Sequence, residues 1–274
     1  MAYQISATKL QTYHRCPQAY QFRYELGLKT NAFFGSAALG TALHQTLAQV
    51  YGNWHYQEPL PKIDWLLYCW QQYSTSLSPA QAEDGKQILE TYYQNFIASE
   101  VAIHKPLAVE GKIQASLQVA NLEFAMVAKR TAFGIAGRYD RLDYLDDGLE
   151  LIDYKSTKEI KLPKEDEIDL QIGLYYLALE QRYRQSLRKL SLIYLRTGEK
   201  VSFDATPEHK QLVETVIGKI AWQLRTDCEW KPQPGEQCDR CTYSRYCSAV
   251  EDSPEPLPED TKNPHSQLQL VLAL

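Results

Sequence analysis

The chain has 274 residues, 44% of them hydrophobic and 23% charged, a composition that suits one large globular protein. No stretch approaches the roughly 20 consecutive apolar residues of a membrane span, and no charged and apolar leader opens the chain, so we expect a soluble cytoplasmic protein. The formal net charge of -5 excludes a generally basic surface, so contact with nucleic acid would require a local basic patch.

The N-terminal region, residues 1–105, is predicted to be mostly helical. Ser6 can cap a first helix, and Pro17 should end that helix just after Cys16. Apolar residues at three- and four-residue spacing predict two further helices, over 37–51 and 80–100.

The next region, residues 106–226, begins with alternating, β-branched and aromatic residues. Turn signals at Ala120-Asn121 and at 146–148 divide it into an antiparallel meander of three or four strands over 107–154. The later elements are predicted to be a helix over 165–183, strands around 190–196 and 200–203, and a helix over 207–225. Helices around such strands predict an α/β fold with a mixed central sheet.

The end of the chain, residues 251–274, is predicted to be a flexible tail. Its first part is rich in proline and acidic side chains, a composition that does not form a packed core. An apolar segment from Gln267 closes the tail and could dock on the domain or on a partner.

A hairpin in the meander brings two carboxylates and a lysine together. Period-two alternation places Asp153 and Lys155 on one strand face, and a turn at Asp147-Gly148 would set Asp140 opposite Lys155. Asp140 would then lie diagonal to Asp153, about 7–8 Å away, a span that one cation can bridge. Burying these charges is costly unless they bind Mg²⁺, which prefers oxygen ligands. An ordinary surface ion pair is the alternative, and the hairpin does not exclude it.

Three side chains on predicted helices could join this group. His44 could supply a nitrogen ligand to the same cation, although a single helical histidine is more often structural. Gln171 and Tyr175 are four residues apart and so share one helix face. A solvated stripe is the alternative for that pair.

In chain order these segments resemble the RecB-type branch of the PD-(D/E)XK nuclease superfamily. Four motifs of that family occur here in the same order. They are a helix histidine (His44), a Gly-x-x-Asp-Arg-x-Asp strand (137–143), an Asp-Tyr-Lys (153–155) and a Gln-x-x-x-Tyr helix (Gln171 with Tyr175). The resemblance runs from about Ser6 to Cys247. Tyr139 replaces the proline of the superfamily's name, a departure that is common in the RecB branch.

The resemblance implies a DNA nuclease with a restriction-endonuclease-like core. It implies a divalent cation, Mg²⁺ or Mn²⁺, held by the side chains of His44, Asp140 and Asp153 and the backbone carbonyl of Tyr154. Lys155 would position or activate the attacking water, and Gln171 and Tyr175 would support the site or the DNA strand. We expect Glu110, at the start of the meander, to be structural and not a ligand.

Six cysteines without a leader indicate metal ligation or buried thiols. A C-x2-C-x5-C segment within residues 227–250 contains Cys238, Cys241 and Cys247. The spacing alone fits a zinc site as well as an iron–sulfur cluster. Resemblance to AddB-type and CRISPR-adaptation nucleases implies a [4Fe-4S] cluster with Cys16 as the fourth ligand. Cys69 and Cys228 are expected to be buried thiols.

The resulting hypothesis is a metal-dependent exonuclease on single-stranded DNA ends, acting in DNA repair, recombination or CRISPR adaptation. The local basic patch would comprise Lys155, Lys158, Lys161, Lys164, Arg138 and Arg141. No Walker-type phosphate-binding motif is present, so helicase activity would come from a partner. The alternatives are a DNA-binding or assembly subunit with a nuclease fold inside a larger complex, and a redox-sensing iron–sulfur protein.

Overall fold

A computed structural model describes residues 3–28, 34–119, 131–157, 169–183, 187–258 and 261. The helices are α1 (Ala7–Arg15), α2 (Pro17–Tyr20), α3 (Phe34–Asn53), α4 (Ile63–Tyr73), α5 (Pro79–Phe96), α6 (Leu170–Tyr183) and α7 (Pro207–Thr226). A π-helical turn over Gln21–Glu25 follows α2, and short 3₁₀ turns occupy Glu236–Arg240 and Ser244–Tyr246. The strands are β1 (Tyr3–Ile5), β2 (Ala108–Val119), β3 (Thr131–Leu145), β4 (Gly148–Lys155), β5 (Leu187–Tyr194) and β6 (Glu199–Asp204).

The strands form one mixed sheet built around β3. Strand β2 pairs with one side of β3, while β1 and β4 lie end to end along the other side, followed by β5 and β6. The pairs β1–β3 and β4–β5 are parallel, and the remaining pairs are antiparallel. The predicted α/β class and mixed sheet are therefore confirmed. Strand β1 was not predicted, because three residues are too short to show an alternation.

Helices cover both faces of the sheet. One hydrophobic cluster joins β1 and the central strands to α1, α6 and α7, and a second joins the sheet to α3, α4 and α5. The consecutive β4 residues Leu151 and Ile152 belong to different clusters, and both are 0% exposed. Burial on both faces explains why β4 has a nearly continuous apolar sequence.

The first helix begins and ends as the sequence predicts. Ser6 Oγ accepts a hydrogen bond of 3.3 Å from the backbone N–H of Lys9, which caps α1. Helix α1 ends at Arg15, Cys16 is extended, and Pro17 begins α2 as its first residue. Cys16 therefore lies in the break between two helices.

The predicted register of the β3–β4 hairpin is wrong by two residues. The turn is Asp146-Asp147, so Gly148 already pairs with Leu145, and Ile152 pairs with Arg141. Continued by one step, this register sets Asp140 level with Asp153 and not with Lys155. Because side chains alternate with a period of two, the change leaves every residue of β4 on its predicted face.

Parts of three predictions lie outside the described residues: the turn at Ala120-Asn121, the start of the helix over 165–183, and the apolar segment from Gln267. Residues 251–258 are exposed and form neither helix nor strand. None of the described helices combines the length and the apolar character needed to cross a membrane.

Candidate functional site

The candidate site lies where β3 and β4 separate. Their pairing ends at Arg141 and Ile152. At the next position Asp140 Oδ2 accepts a hydrogen bond of 2.7 Å from the backbone N–H of Tyr154. The carboxylate thus replaces a backbone partner in the ladder, and it is only 8% exposed. A side chain held in this way has little freedom, so Asp140 is a fixed point around which the site is built.

Three potential metal ligands meet at Asp140. Its Oδ1 lies 3.0 Å from Nδ1 of His44, which is on α3. One ligand atom each from His44, Glu110 and Asp140 lies within 4.8 Å of the others. Burial alone would lower the pKa of His44, but the hydrogen bond and charge of Asp140 outweigh burial and raise it. One imidazole and two carboxylates form a donor set that suits Mn²⁺ or Mg²⁺.

Glu110, which the sequence predicts to be structural, lies in this group of potential ligands. The β2–β3 register brings Glu110 level with Asp140, and Arg138 Nη1 lies 3.2 Å from its carboxylate. The backbone of Glu110 has φ 48°, which is rare for a residue with a side chain and costs on the order of 1 kcal/mol. Only the pairing of two strands reveals its position, because no local pattern distinguishes Glu110 from a surface glutamate.

Asp153 is held by two other predicted residues. Its Oδ1 accepts a hydrogen bond of 2.7 Å from Gln171 Nε2, and its Oδ2 lies 2.9 Å from Lys155 Nζ. With 1% of the residue exposed, burial raises the pKa of Asp153 to about 6, against the opposing effect of the Lys155 ammonium. Asp153 is not one of the three clustered ligands, although the charge of Asp140 also raises its pKa.

Lys155 is surrounded by acceptors. Besides Asp153, its Nζ lies 3.3 Å from Asp169 Oδ2 and 3.5 Å from Gln171 Oε1. Burial by itself lowers the pKa of Lys155, but the two carboxylates outweigh it and raise the pKa above its usual value. In this arrangement Lys155 is a cation that can attract and orient an anion.

Sequence reasoning missed Asp169 as a member of the site. Its Oδ1 accepts hydrogen bonds from the backbone N–H groups of Gln171 (2.9 Å) and Ile172 (3.0 Å), so it caps the start of α6. Its Oδ2 pairs with Lys155. One carboxylate thus fixes both the helix that carries Gln171 and the lysine beside it. An aspartate directly before an apolar helix was the available signal.

Tyr175 of α6 packs against β3 at Gly137, three residues before Asp140. A Cβ added to Gly137 would lie 2.6 Å from Tyr175 Cε1, so the ring occupies the space above that glycine. The backbone of Arg138 hydrogen-bonds the Tyr175 hydroxyl, and burial raises its pKa to about 12. The glycine and the tyrosine of the two predicted motifs are therefore packing partners.

The predicted basic patch is wrong in one of its members. Arg141 is 8% exposed, and its guanidinium lies 4.1 Å from the ring centroid of Tyr51. Its Nη1 donates to the hydroxyls of Tyr92 (3.1 Å) and Tyr154 (3.0 Å). By contrast, 56% of the Arg138 side chain is exposed. Three members, Lys158, Lys161 and Lys164, lie outside the described residues.

The four predicted cluster cysteines line one cavity of about 1090 Å³ between the first helices and the C-terminal segment. No disulfide joins these four residues, which are Cys16, Cys238, Cys241 and Cys247. Burial and the neighbouring thiols of Cys16 and Cys238 raise the pKa of Cys241. Of the two remaining cysteines, Cys69 is buried as expected, but Cys228 is exposed, which corrects that expectation.

Comparison with known proteins identifies the family. A family model described as the PD-(D/E)XK nuclease superfamily matches residues 4–248. The chain belongs to this superfamily. The PD-(D/E)XK match spans the sheet, both helical layers and the cysteine segment, and the coarse activity that goes with it is that of a nuclease.

Comparisons with solved structures and with curated proteins add two findings. A solved structure described as "Crystal structure of SSO0001" is similar to this PD-(D/E)XK chain, with 14% sequence identity and a TM-score of 0.42, covering 92% of this chain and 88% of that chain. None of the curated proteins that were searched matches it.

Proposed function

We propose that this PD-(D/E)XK protein is a divalent-metal-dependent deoxyribonuclease that acts on single-stranded DNA ends. The observation that carries the proposal is the junction of two groups at the point where β3 and β4 separate. His44, Glu110 and Asp140 form a set of ligands, and Asp153 with Lys155 forms a buried ion pair beside it.

The ligand set fits a hard divalent cation. Two carboxylates and one imidazole surround one point, and Asp140 is held in place by a backbone N–H. His44, Glu110 and Asp140 would hold Mn²⁺ or Mg²⁺, with Asp153 and the carbonyl of Tyr154 as the further ligands that we predict from the RecB resemblance. The cation would supply polarisation of the scissile phosphodiester.

The chain's own residues would orient the substrate next to that cation. The protonated Lys155 ammonium would attract a phosphate oxygen or hold the attacking water, while Gln171 keeps Asp153 in place. Asp169 limits the movement of Lys155. Charges fixed before the reaction stabilise the developing negative charge without a cost of reorganisation.

The depth of the site supports a single-stranded end as the substrate. Asp153 is 1% exposed and Asp140 is 8% exposed, whereas about a quarter of the His44 side chain is exposed. A flexible single-stranded end can reach groups buried to this depth more easily than a stiff continuous duplex can. End trimming of this kind would serve DNA repair, recombination or CRISPR adaptation, with a partner helicase separating the strands.

The cysteine cavity supports the [4Fe-4S] proposal. Among the described residues its lining includes Arg15 and Arg240 and no aspartate or glutamate, so positive charge offsets the negative charge of four thiolates. Four thiolates at one cavity suit a [4Fe-4S] cluster, in which each cysteine binds a different iron. The same four ligands suit a zinc ion, so the metal content of the purified protein decides between the two.

The nuclease proposal is tested with labelled 20-nucleotide single-stranded and duplex DNA, with Mn²⁺, Mg²⁺ or EDTA. We expect Mn²⁺-dependent trimming of the single strand, and a loss of at least about 100-fold in Asp153→Ala and Lys155→Ala. Lys219→Ala, on the exposed surface of α7, is the matched control and should retain activity. Undiminished cleavage by both site variants would contradict the assignment. An inactive parent protein would favour the alternative hypothesis, a DNA-binding or assembly subunit with a nuclease fold.

A further inference from the structure

A second group of cations lies far from the candidate site. Lys9 of α1, Arg23 of the π-helical turn and Arg225 of α7 converge on the rings of Tyr3 and Tyr24. Lys9 Nζ lies 5.7 Å from the Tyr3 centroid and 5.6 Å from that of Tyr24. Arg23 lies 5.2 Å from Tyr24, and Arg225 lies 5.4 Å from Tyr3. These five residues are called the basic–aromatic patch below.

Within the described residues the charges of the patch have no carboxylate partner, although Arg23 also lines the cysteine cavity. Among the described residues no carboxylate lies within ion-pair distance of Lys9, Arg23 or Arg225, although Lys9 Nζ donates to a backbone carbonyl. Glu25 lies beside the patch, where it accepts a hydrogen bond of 3.4 Å from the Tyr3 hydroxyl. Both arginines are exposed. Cations that share two rings repel one another, and a bound anion would relieve that repulsion.

The elements that carry the patch make it a fixed feature of the fold. Tyr3 pairs with Phe133 through β1, and its hydroxyl lies 2.8 Å from that of Tyr20. Both Tyr3 and Tyr24 pack against the core cluster that also contains α6 and α7. The rings are therefore held in place while the cations above them face solvent. Such a surface is preorganised for an anionic ligand and loses little side-chain entropy on binding.

The position of the patch suits a long polyanion that also reaches the candidate site. Phe133 precedes Asp140 by seven residues on β3, which corresponds to about 23 Å at roughly 3.3 Å per residue. The patch packs on the sheet face that carries α6, the helix of Gln171. A single strand of several nucleotides would cross this distance.

We propose that the basic–aromatic patch binds the phosphate backbone of a DNA strand several nucleotides from the scissile bond. The proposal rests on the proposed nuclease function for the identity of the polyanion. The cations bind phosphates without reading the bases, so the contact is independent of sequence. It would also supply part of the local positive surface that a chain of net charge -5 needs.

The test compares the parent with Lys9→Gln, Arg23→Gln, Arg225→Gln and the triple variant. Binding of a 20-nucleotide single strand is measured in EDTA by fluorescence anisotropy at several salt concentrations. Each substitution should lower the slope of log affinity against log salt by about 0.7, and the triple variant should lower it by about 2. Lys219→Gln is the control, because it removes an exposed, unpaired charge elsewhere on α7 among the described residues.

A second measurement depends on substrate length. With Mn²⁺, the triple variant should lose about tenfold in kcat/KM on the 20-nucleotide strand and nothing on a dinucleotide, which is too short to reach from the site to the patch. Equal losses on both lengths, an unchanged salt slope, or the same effect from Lys219→Gln would overturn the proposal. If the parent cleaves neither strand, the nuclease proposal fails, while the salt slopes still decide whether the patch binds DNA.

Discussion

Asp153 and Lys155 show how burial controls the chemistry of single groups in this protein. Asp153 has a pKa raised to about 6, because removal from water disfavours its charged form more than Lys155 favours it. Lys155 has a raised pKa for the opposite reason, because two carboxylates outweigh its burial. Asp153 is therefore protonated at a higher pH than a free aspartate, and Lys155 keeps its proton to a higher pH than a free lysine.

The first prediction concerns metal binding below neutral pH. A protonated Asp153 cannot act as a ligand, so the apparent Kd for Mn²⁺ should rise about tenfold for each pH unit below 6, in addition to the effect of His44. Asp153→Asn should bind more weakly at pH 8 and show a shallower pH dependence. Titration calorimetry at pH 5 to 8 measures both. An equal slope in parent and variant would remove Asp153 from the metal site.

The second prediction separates the two roles of Asp169. Asparagine can still cap α6, but it cannot form the ion pair with Lys155. Asp169→Asn should therefore keep its melting temperature and lose about tenfold in kcat with little change in KM. Asp169→Ala should lose about 1 kcal/mol of stability as well. Ser78→Ala, which removes the cap of α5, is the control and should lower stability without changing kcat.

At the scale of elements, Arg141 joins the helical layer to the strand that carries the site. It lies on β3 beside Asp140 and contacts Tyr51 of α3, Tyr92 of α5 and Tyr154 of β4. The ring of Tyr154 in turn lies 5.8 Å from that of His44. The buried guanidinium of Arg141 forms an ion pair with Asp143 at 3.0 Å. The docking of α3, and with it the position of His44, depends on this network.

The third prediction compares two arginines of the same strand. Arg141→Met removes one partner of a buried ion pair and two hydrogen bonds, so unfolding should require about 3–5 kcal/mol less free energy. Arg138→Met breaks an ion pair of an arginine whose side chain is 56% exposed, and it should cost less than about 1 kcal/mol. Chemical denaturation measures both. Equal losses would mean that the network contributes no more than a surface ion pair.

At the scale of the whole molecule, the two ends of the described chain meet at the cysteine cavity. Cys16 follows α1, while the other three cysteines follow α7, and both helices belong to the same core cluster. Tyr13 of α1 also donates a hydrogen bond of 2.8 Å to Asp227 at the end of α7. A bound cluster would therefore close the fold by a covalent link between distant parts of the chain.

The fourth prediction tests that closure. Cys16→Ala and Cys241→Ala should each lose iron and lower the melting temperature of the whole domain, because metal binding contributes to folding free energy. Cys228→Ala, an exposed cysteine, should change neither. Anaerobic purification with iron and zinc quantified in the same sample gives the metal. Stoichiometric zinc, or unchanged iron with unchanged stability in the first two variants, would contradict the proposal.

The sequence by itself determined several elements of this protein and the two faces of β4. Alternation in β4 placed Asp153 and Lys155 on one face, and Ser6 and Pro17 marked both ends of α1. These features depend on neighbours a few residues apart, so local physical rules are sufficient. The resemblance in chain order also predicted the PD-(D/E)XK superfamily, which the match over residues 4–248 confirms, while the RecB branch stays a prediction.

Only the tertiary structure decided which groups meet. Glu110 joins His44 and Asp140 because β2 and β3 pair in one register, and Arg141 is buried because α3 and α5 cover that side of the sheet. Asp169 reaches Lys155 across a segment that no local pattern constrains. Contacts between residues distant in the chain depend on the summed packing of both layers, and a short sequence pattern does not contain that information.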